Sequence, residues 1–417
     1  MTAKQKVIYV YDDFSFQEPI LLGMLFVDVL RGQETYSFEY DETWLNKTNC
    51  KINLDPDLML YPGRQFPSDN QMFGVFSDAS PDRWGRTLMN RRERLIANKE
   101  NRKPNKLYDS DYLMGVYDET RMGGLRFKFD VDGPFLSNDS DSSVPPWTTL
   151  RTLEEASRNY EKDETENTKW INQLIKPGSS LGGARPKANV IDTKGQLWIA
   201  KFPSRKDEND IGAWEKVVHD LASFCLLNVP ESKLEKYSDL GSTFLVKRFD
   251  RTDGKRIHFS SAMTMLGKKD DASSQDGSSY LDIAEFIKNY GSNPQKDLLE
   301  LWKRIVFNMA VSNTDDHLRN HAFILNEDGW SLSPLFDVNP VSYGNELSLN
   351  VNENSNEINI DLAIDSAKYY GISKEIAELE AKNILNIVKN NWESLAIKYG
   401  LTRKQIQNMK QAFSLCE

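Results

Sequence analysis

Asp315 and Asn320 stand five positions apart in Ser312-Asn-Thr-Asp-Asp-His-Leu-Arg-Asn-His321, the densest polar run in an otherwise apolar stretch. The run directly follows Phe307-Asn-Met-Ala-Val311, where apolar spacing predicts the end of a helix. Asp337, in Leu335-Phe-Asp337, comes 17 residues after Asn320. One carboxylate to take a proton, with an amide oxygen and a second carboxylate to hold a divalent cation, are parts that suit phosphoryl transfer. That chemistry is mostly positioning and neutralisation of charge on phosphate oxygens. Spacing alone does not choose the base, because Asp316 lies four residues from Asn320. Two other readings use the same residues. Asp315, Asp316, His317, His321 and Asp337 form an oxygen and nitrogen set that suits metal-dependent hydrolysis. They also suit plain capping of helices and turns.

The Asp-x4-Asn spacing is that of the base and the metal ligand in protein-kinase catalytic loops. A second group of residues fits the same chemistry. Gly178-Ser-Ser-Leu-Gly-Gly-Ala-Arg-Pro-Lys187 is a glycine-rich loop leading into a strand. Glycines let backbone amides approach and cradle phosphates, although the loop is neither a Walker A sequence nor a GxGxxG. Lys201 follows at the end of the apolar run Leu197-Trp-Ile-Ala-Lys201, 14 residues beyond Lys187. Glu215 sits early on the next helical segment. Loop, strand lysine and helix glutamate, in that order, make the phosphate-gripping half of a kinase. Taken singly, each reads equally well as a turn, an exposed strand end or a solvated helix residue.

These residues need a scaffold, and the 417-residue chain is long enough for two or three domains. Val7–Tyr11, Leu21–Val27 and Tyr36–Tyr40 read as strands of a β-rich start. Arg83 to Lys99 reads as a helix, with Ser80 as its N-cap and Pro81 at its first position. From Arg83 to Lys106 there are nine Lys/Arg against two Asp/Glu, either a solvated face or a docking face for an acidic partner or nucleic acid. Ser137-Asn-Asp-Ser-Asp-Ser-Ser-Val-Pro-Pro146 cannot bury a core and marks a linker or long loop over 137–150. Strands are expected at Lys187–Ile191, Leu197–Phe202 and Thr243–Lys247, and helices at Ile211–Leu227, Leu298–Val311 and Ile376–Ile397. The expected architecture is α/β: a β-rich N-terminal domain over 1–136, a nucleotide-binding part over 151–265 and an all-helical lobe over 266–417.

Composition narrows the partners. Lys+Arg 52 against Asp+Glu 62 gives a net charge of −10, a poor general match for nucleic acid or a membrane surface. Cys50, Cys225 and Cys416 lie far apart with no CxxC spacing, so neither a disulfide framework nor a thiolate zinc site is expected. No run approaches 18 apolar residues and the N-terminus lacks an apolar signal core, so a cytoplasmic protein is expected.

Six motifs in order resemble the HipA serine/threonine kinases, the toxin halves of bacterial HipA–HipB toxin–antitoxin modules. They are Phe76-Ser-Asp-Ala-Ser-Pro-Asp-Arg-Trp-Gly-Arg86, Ser180-Leu-Gly-Gly-Ala-Arg-Pro-Lys187, Lys201-Phe-Pro, Val246-Lys-Arg-Phe-Asp-Arg251, Asn313-Thr-Asp-Asp-His-Leu-Arg-Asn320 and Leu335-Phe-Asp337. The resemblance covers most of the chain and implies a protein-kinase-like two-lobe fold. It implies that Asp315 is the catalytic base and that Asn320 and Asp337 hold magnesium. For ATP it implies contacts from Gly182, Gly183, Ala184, Arg185, Pro186 and Lys187 of the phosphate loop, and from Lys201. The adenine would meet Lys247, Arg248 and Phe249, while His317, Leu318, Arg319, Asn320 and Phe336 line the nucleotide side. Ser180, with Ser179 as its neighbour, is implied as an autophosphorylated serine. The family's pattern has glutamate where this chain has Lys247, and Gln-Glu where it has Arg185-Pro186. The implied partners are an aminoacyl-tRNA synthetase as protein substrate and a small helix-turn-helix antitoxin of the HipB type, which brings operator DNA. Two competing classes are a catalytically weak co-repressor or scaffold and a small-molecule kinase. The presence of Lys201, Asp315, Asn320 and Asp337 together argues against the first, and the large N-terminal domain against the second.

Overall fold

The computed structural model describes residues 5–47, 52–69, 71–136, 144–162, 174, 183 and 185–416. The chain divides into two compact units, Met1–Arg205 with Asp250–Ser260, and Lys206–Phe249 with Ser261–Glu417. Among the described residues no helix is long and apolar enough to cross a membrane.

The first unit opens with strands β1 (Gln5–Asp12), β2 (Ile20–Leu30) and β3 (Gln33–Tyr40). With β4 (Arg64–Gln65) and β5 (Leu125–Lys128) they form an antiparallel sheet in the order β4-β3-β2-β1-β5. Ile8, Val10, Leu25, Val27, Phe38 and Phe127 are fully buried, the period-two signature of one covered face. Gly23 in β2 has a packing reason: a Cβ there would lie 2.3 Å from the Glu39 carbonyl oxygen of the paired strand. Buried Asp12 closes β1 by accepting the N–H groups of Phe14 and Ser15, both at 2.9 Å, and the indole N–H of Trp44 at 2.9 Å.

Helix α1 (Arg83–Lys99) follows the expected bounds, but its cap is Asp82 rather than Ser80. The Asp82 carboxylate accepts from Gly85 N–H at 3.1 Å, one of the orphan donors of the first turn, so Pro81 falls outside the helix. Ser80 instead donates its hydroxyl to the Phe76 carbonyl at 2.8 Å. Trp84, Leu88, Met89 and Leu95 of α1 pack with Tyr112, Ala156 and Tyr160, which come from α2 (Asp109–Gly115) and α3 (Leu150–Lys162). Strands β6 (Lys187–Ile191) and β7 (Leu197–Lys201) pair antiparallel, with Lys187 opposite Lys201.

The second unit begins with helix α4 (Ile211–Phe224) beside the hairpin of β8 (Ser232–Ser238) and β9 (Gly241–Lys247). Asp210 caps α4 through Ala213 N–H at 3.1 Å and also takes Ser242 N–H at 2.9 Å and its hydroxyl at 2.8 Å. Gly212 lets helix and hairpin meet, since a Cβ there would lie 2.2 Å from the Ser242 carbonyl oxygen. The helix stops short of Leu227 because Leu226 takes a left-handed φ of 58°.

Helices α5 (Tyr280–Tyr290), α6 (Pro294–Ala310), α7 (Ile360–Ser366) and α8 (Lys374–Lys398) supply most of the α-helix in the rest of this unit. Asn293 caps α6 and Pro294 occupies its first turn, and its second half from Arg304 to Ala310 is wholly buried. One feature departs from an all-helical lobe: strands β10 (Ala322–Asn326) and β11 (Gly329–Leu332) form a hairpin. Asn326 pairs with Gly329 across the two-residue turn Glu327-Asp328.

Candidate active site

The loop after α6 is shaped by one left-handed residue. Ser312 has φ 50°, which turns the chain back so that Asn313 N–H reaches the Asn308 carbonyl at 2.8 Å. The Asn313 side chain then bonds Asn308 Oδ1 at 3.1 Å and accepts Asn339 N–H at 3.3 Å. Val341 N–H donates to the Ser312 carbonyl at 3.1 Å. The segment after Asp337 is therefore stitched to the loop that carries Asp315. Asp337 itself has φ 58°, a backbone strained for a non-glycine residue.

The structure separates the two carboxylates that spacing left equivalent. Asp315 is exposed, whereas Asp316 is 1% exposed. Asp316 Oδ2 accepts from the Tyr280 hydroxyl at 2.7 Å, the Asn308 amide at 2.7 Å and His321 Nε2 at 2.8 Å. Burial on its own would raise the Asp316 carboxyl, but the His321 charge and hydrogen bond, with the Tyr280 hydroxyl, outweigh it and hold the group below its usual range. Burial and the neighbouring Asp316 push the Tyr280 phenol well above its usual value, so it remains a donor. Asp316 is the anchor of the loop, and Asp315 is its free carboxylate.

Asn320 is fixed by the same loop. Its amide nitrogen donates to the Asp315 carbonyl at 3.1 Å, and its N–H donates to the His317 carbonyl at 2.8 Å. With the nitrogen so committed, Oδ1 faces the other way. An amide oxygen here and the Asp337 carboxylate are both oxygen donors, the donor type magnesium prefers. The Phe336 ring, next to Asp337, meets the Phe249 ring at a centroid distance of 5.7 Å, so the 247–249 and 336–337 segments come together. Arg248 is buried, and Lys247 N–H pairs with the Glu231 carbonyl at 2.8 Å. Arg319 pairs with Asp270 and approaches His317 Nε2 at 3.2 Å, and Leu318 is buried.

The metal-hydrolase arrangement is not assembled. Asp316 and His321 spend their facing atoms on each other, and among the described residues no group of three or more His, Cys, Asp or Glu converges.

The phosphate-loop residues and Lys201 lie in the first unit. Lys187 and Lys201 face each other across β6 and β7, and directly opposed residues of an antiparallel pair share one face. Gly183, with φ 80°, lies under the Lys187 ammonium: a Cβ there would be 3.0 Å from Nζ. Trp84 holds this loop from the side, its N–H donating to the Gly183 carbonyl at 3.3 Å and its indole to the Lys187 carbonyl at 3.0 Å. Phe202 N–H closes on the Pro186 carbonyl at 2.9 Å, just past Arg185. Lys187 and Lys201 thus share one face beside a left-handed glycine. Ser179, Ser180, Gly182 and Ala184 lie outside the described residues. Glu215 is buried in α4 of the second unit, whereas Lys201 belongs to the first.

Asp250 and Arg251 of the 246–251 motif have a structural task within the first unit. Asp250 accepts Gly123 N–H at 2.8 Å, and Arg251 bonds Asp250 at 2.7 Å and the Arg121 carbonyl at 2.7 Å.

Sequence reasoning missed the support of the loop. Asn308, a polar residue in the apolar end of α6, was a visible signal. Tyr280, 36 residues upstream of Asp316, left none.

A model of the HipA-like C-terminal domain matches residues 179–399. A relative from Sinorhizobium fredii, named "Putative kinase Y4mE", is 26% identical over 258 residues, 55% of this chain and 54% of the relative. A relative from Haemophilus influenzae, named "Putative kinase", is 28% identical over 184 residues, 40% of this chain and 53% of the relative. The chain thus spans about half the length of the curated relatives it matches. Among solved structures, HipA of Shewanella oneidensis, determined with HipB and its operator DNA, superposes with a TM-score of 0.70. That match covers 98% of this chain and 96% of the other at 16% identity, and it shows a shared fold.

Proposed function

The chain belongs to the HipA-like C-terminal domain family, and on that premise we propose that it is an ATP-dependent serine/threonine protein kinase of a toxin–antitoxin module. The observation that carries this reading is the division of labour between adjacent carboxylates, Asp316 buried under three donors and Asp315 left exposed. A general base must reach the proton it takes, and it needs a rigid support.

In this reading Asp315 accepts the proton of a serine or threonine hydroxyl as that oxygen attacks the γ-phosphorus of ATP, whose bond to the bridging oxygen breaks to release ADP. Gly182 to Lys187 and Lys201 receive the phosphates, Glu215 supports Lys201, and Lys247 to Phe249 meet the adenine. Asn320 and Asp337 would hold magnesium, which when bound neutralises charge on the β- and γ-phosphate oxygens. Phe336, paired with Phe249, keeps the Asp337 segment against the adenine-binding stretch. The protein acceptor proposed is an aminoacyl-tRNA synthetase, and the partner a small helix-turn-helix antitoxin of the HipB type that carries operator DNA, all in the cytoplasm.

The direct test is transfer of label from γ-labelled ATP to protein hydroxyls in the presence of magnesium. Asp337→Ala is expected to abolish magnesium-dependent ATP binding in calorimetry, because one of two oxygen donors is gone. Tight zinc binding without nucleotide would favour the hydrolase arrangement instead.

Ser180 is proposed as the autophosphorylation site. A phosphate there adds about −1.5 to −2 charges beside a loop that must hold the anionic phosphates of ATP. Mass spectrometry after incubation with ATP is expected to find the phosphate on Ser180, only when Asp315 is intact. The phosphorylated form is expected to bind ATP poorly; equal binding by both forms would remove the switch.

A further inference from the structure

The chain beyond Asp337 runs back along the proposed catalytic loop. Gly344 lies against Thr314 so closely that a Cβ would sit 2.3 Å from its methyl carbon, and the Ser348 hydroxyl donates to the Thr314 carbonyl at 2.9 Å. Val341 is tied to Ser312 on the other side. Between these ties Tyr343 is 88% exposed, an aromatic ring held in water close by the residue that precedes Asp315.

Two residues further on, a cleft of about 640 Å³ opens. Glu346, Glu357 and Asp361 line it, with Ile358, Ile360 and Leu385 as apolar walls, and no lysine or arginine takes part in the lining. Glu346 and Glu357 are direct partners of an antiparallel bridge, so both carboxylates leave on one side. Like charges directly opposed repel each other, a cost that a cation between them reverses. Among the described residues none of the three carboxylates enters an ion pair.

We infer that this cleft is the docking surface for the acceptor protein, and that it takes a basic segment carrying an apolar residue. The inference rests on the kinase reading. The occupant follows from charge complementarity and from continuity: the cleft starts on the same strand-like segment that abuts Thr314, and the exposed Tyr343 belongs to that segment. A nucleic-acid backbone is repelled by the three carboxylates, and an acidic peptide likewise.

The test uses a short fluorescein-labelled peptide with arginines around one isoleucine and one serine, and a second peptide with glutamates for the arginines. Fluorescence anisotropy at low salt is expected to show the arginine peptide binding the full chain about tenfold tighter, within the range that two or three exposed ion pairs give. The double variant E346K/D361K is expected to remove that preference. E327K/D328K, in the turn of the β10–β11 hairpin, changes net charge equally and is expected to retain it. Equal affinity for both peptides, or equal weakening by both double variants, overturns the inference. Tyr343→Ala is expected to raise KM for phosphorylation of the arginine peptide with kcat unchanged; an unchanged KM overturns the continuous path. Magnesium-dependent ATP binding is measured in parallel. Its retention with no peptide preference refutes the cleft alone, whereas its absence in the wild-type chain refutes the kinase reading and leaves the peptide result to stand by itself.

Discussion

Asp315→Asn is expected to lower the rate of phosphoryl transfer by about 10²–10⁴, the range for losing a positioned general base, while ATP binding stays nearly intact. The asparagine keeps the shape and the backbone of the loop. The Asp315 carbonyl, which the Asn320 amide and the His317 N–H use, is untouched by the change. Only the exposed carboxylate is lost. Single-turnover kinetics with ATP bound separates the effect on chemistry from any effect on affinity. A variant at Asp316 that is inactive yet fully folded, beside an active Asp315 variant, would reverse the assignment.

The strands and long helices were legible because their apolar periods are strong. The helix over Arg83–Lys99 appears at the expected bounds, and α6 and α8 extend the expected stretches by a few residues at their starts. What escaped was local chemistry that depends on geometry. Asp82 rather than Ser80 caps α1, because a cap is decided by which oxygen reaches the free N–H groups, and both residue types qualify by composition. The hairpin at Ala322–Leu332 was hidden by its brevity, since two strands of five and four residues carry little period-two signal between helices.

The site divides in the same way. The positions of Asp315, Asn320 and Asp337 were legible as a spacing, and the family resemblance chose among the carboxylates. What distinguishes the two carboxylates in the structure is tertiary. Asp316 is buried by α6 through Asn308, by α5 through Tyr280 and by the residue after the loop, His321. No pattern along the chain announces that three such donors converge. Likewise Trp84 sits in a sequence signature whose purpose becomes visible only where its two N–H groups meet the carbonyls of Gly183 and Lys187.

Removing the Asp316 anchor is expected to cost the fold more than any change at Asp315. Asp316→Ala strands the Tyr280 hydroxyl, the Asn308 amide and His321 Nε2 in a dry interior, at about 3–5 kcal/mol, the cost of breaking a buried charged pair from one side. Asp316→Asn keeps the volume and one acceptor oxygen and isolates the charge. The sign follows from the carboxyl being held below its usual range in the folded chain. Such a group contributes stability above its unfolded pKa of about 3.9, and that contribution fades as pH falls through the lower, folded value. The stability gap between wild type and Asp316→Asn is therefore expected to be present at neutral pH and to close in acid. Urea denaturation at a series of pH values, followed by tryptophan fluorescence, measures it; Trp302 lies buried in α6, whose Asn308 holds Asp316. A gap that is absent at neutral pH would mean that the carboxylate does not anchor the loop, and the division of labour between Asp315 and Asp316 would fall with it.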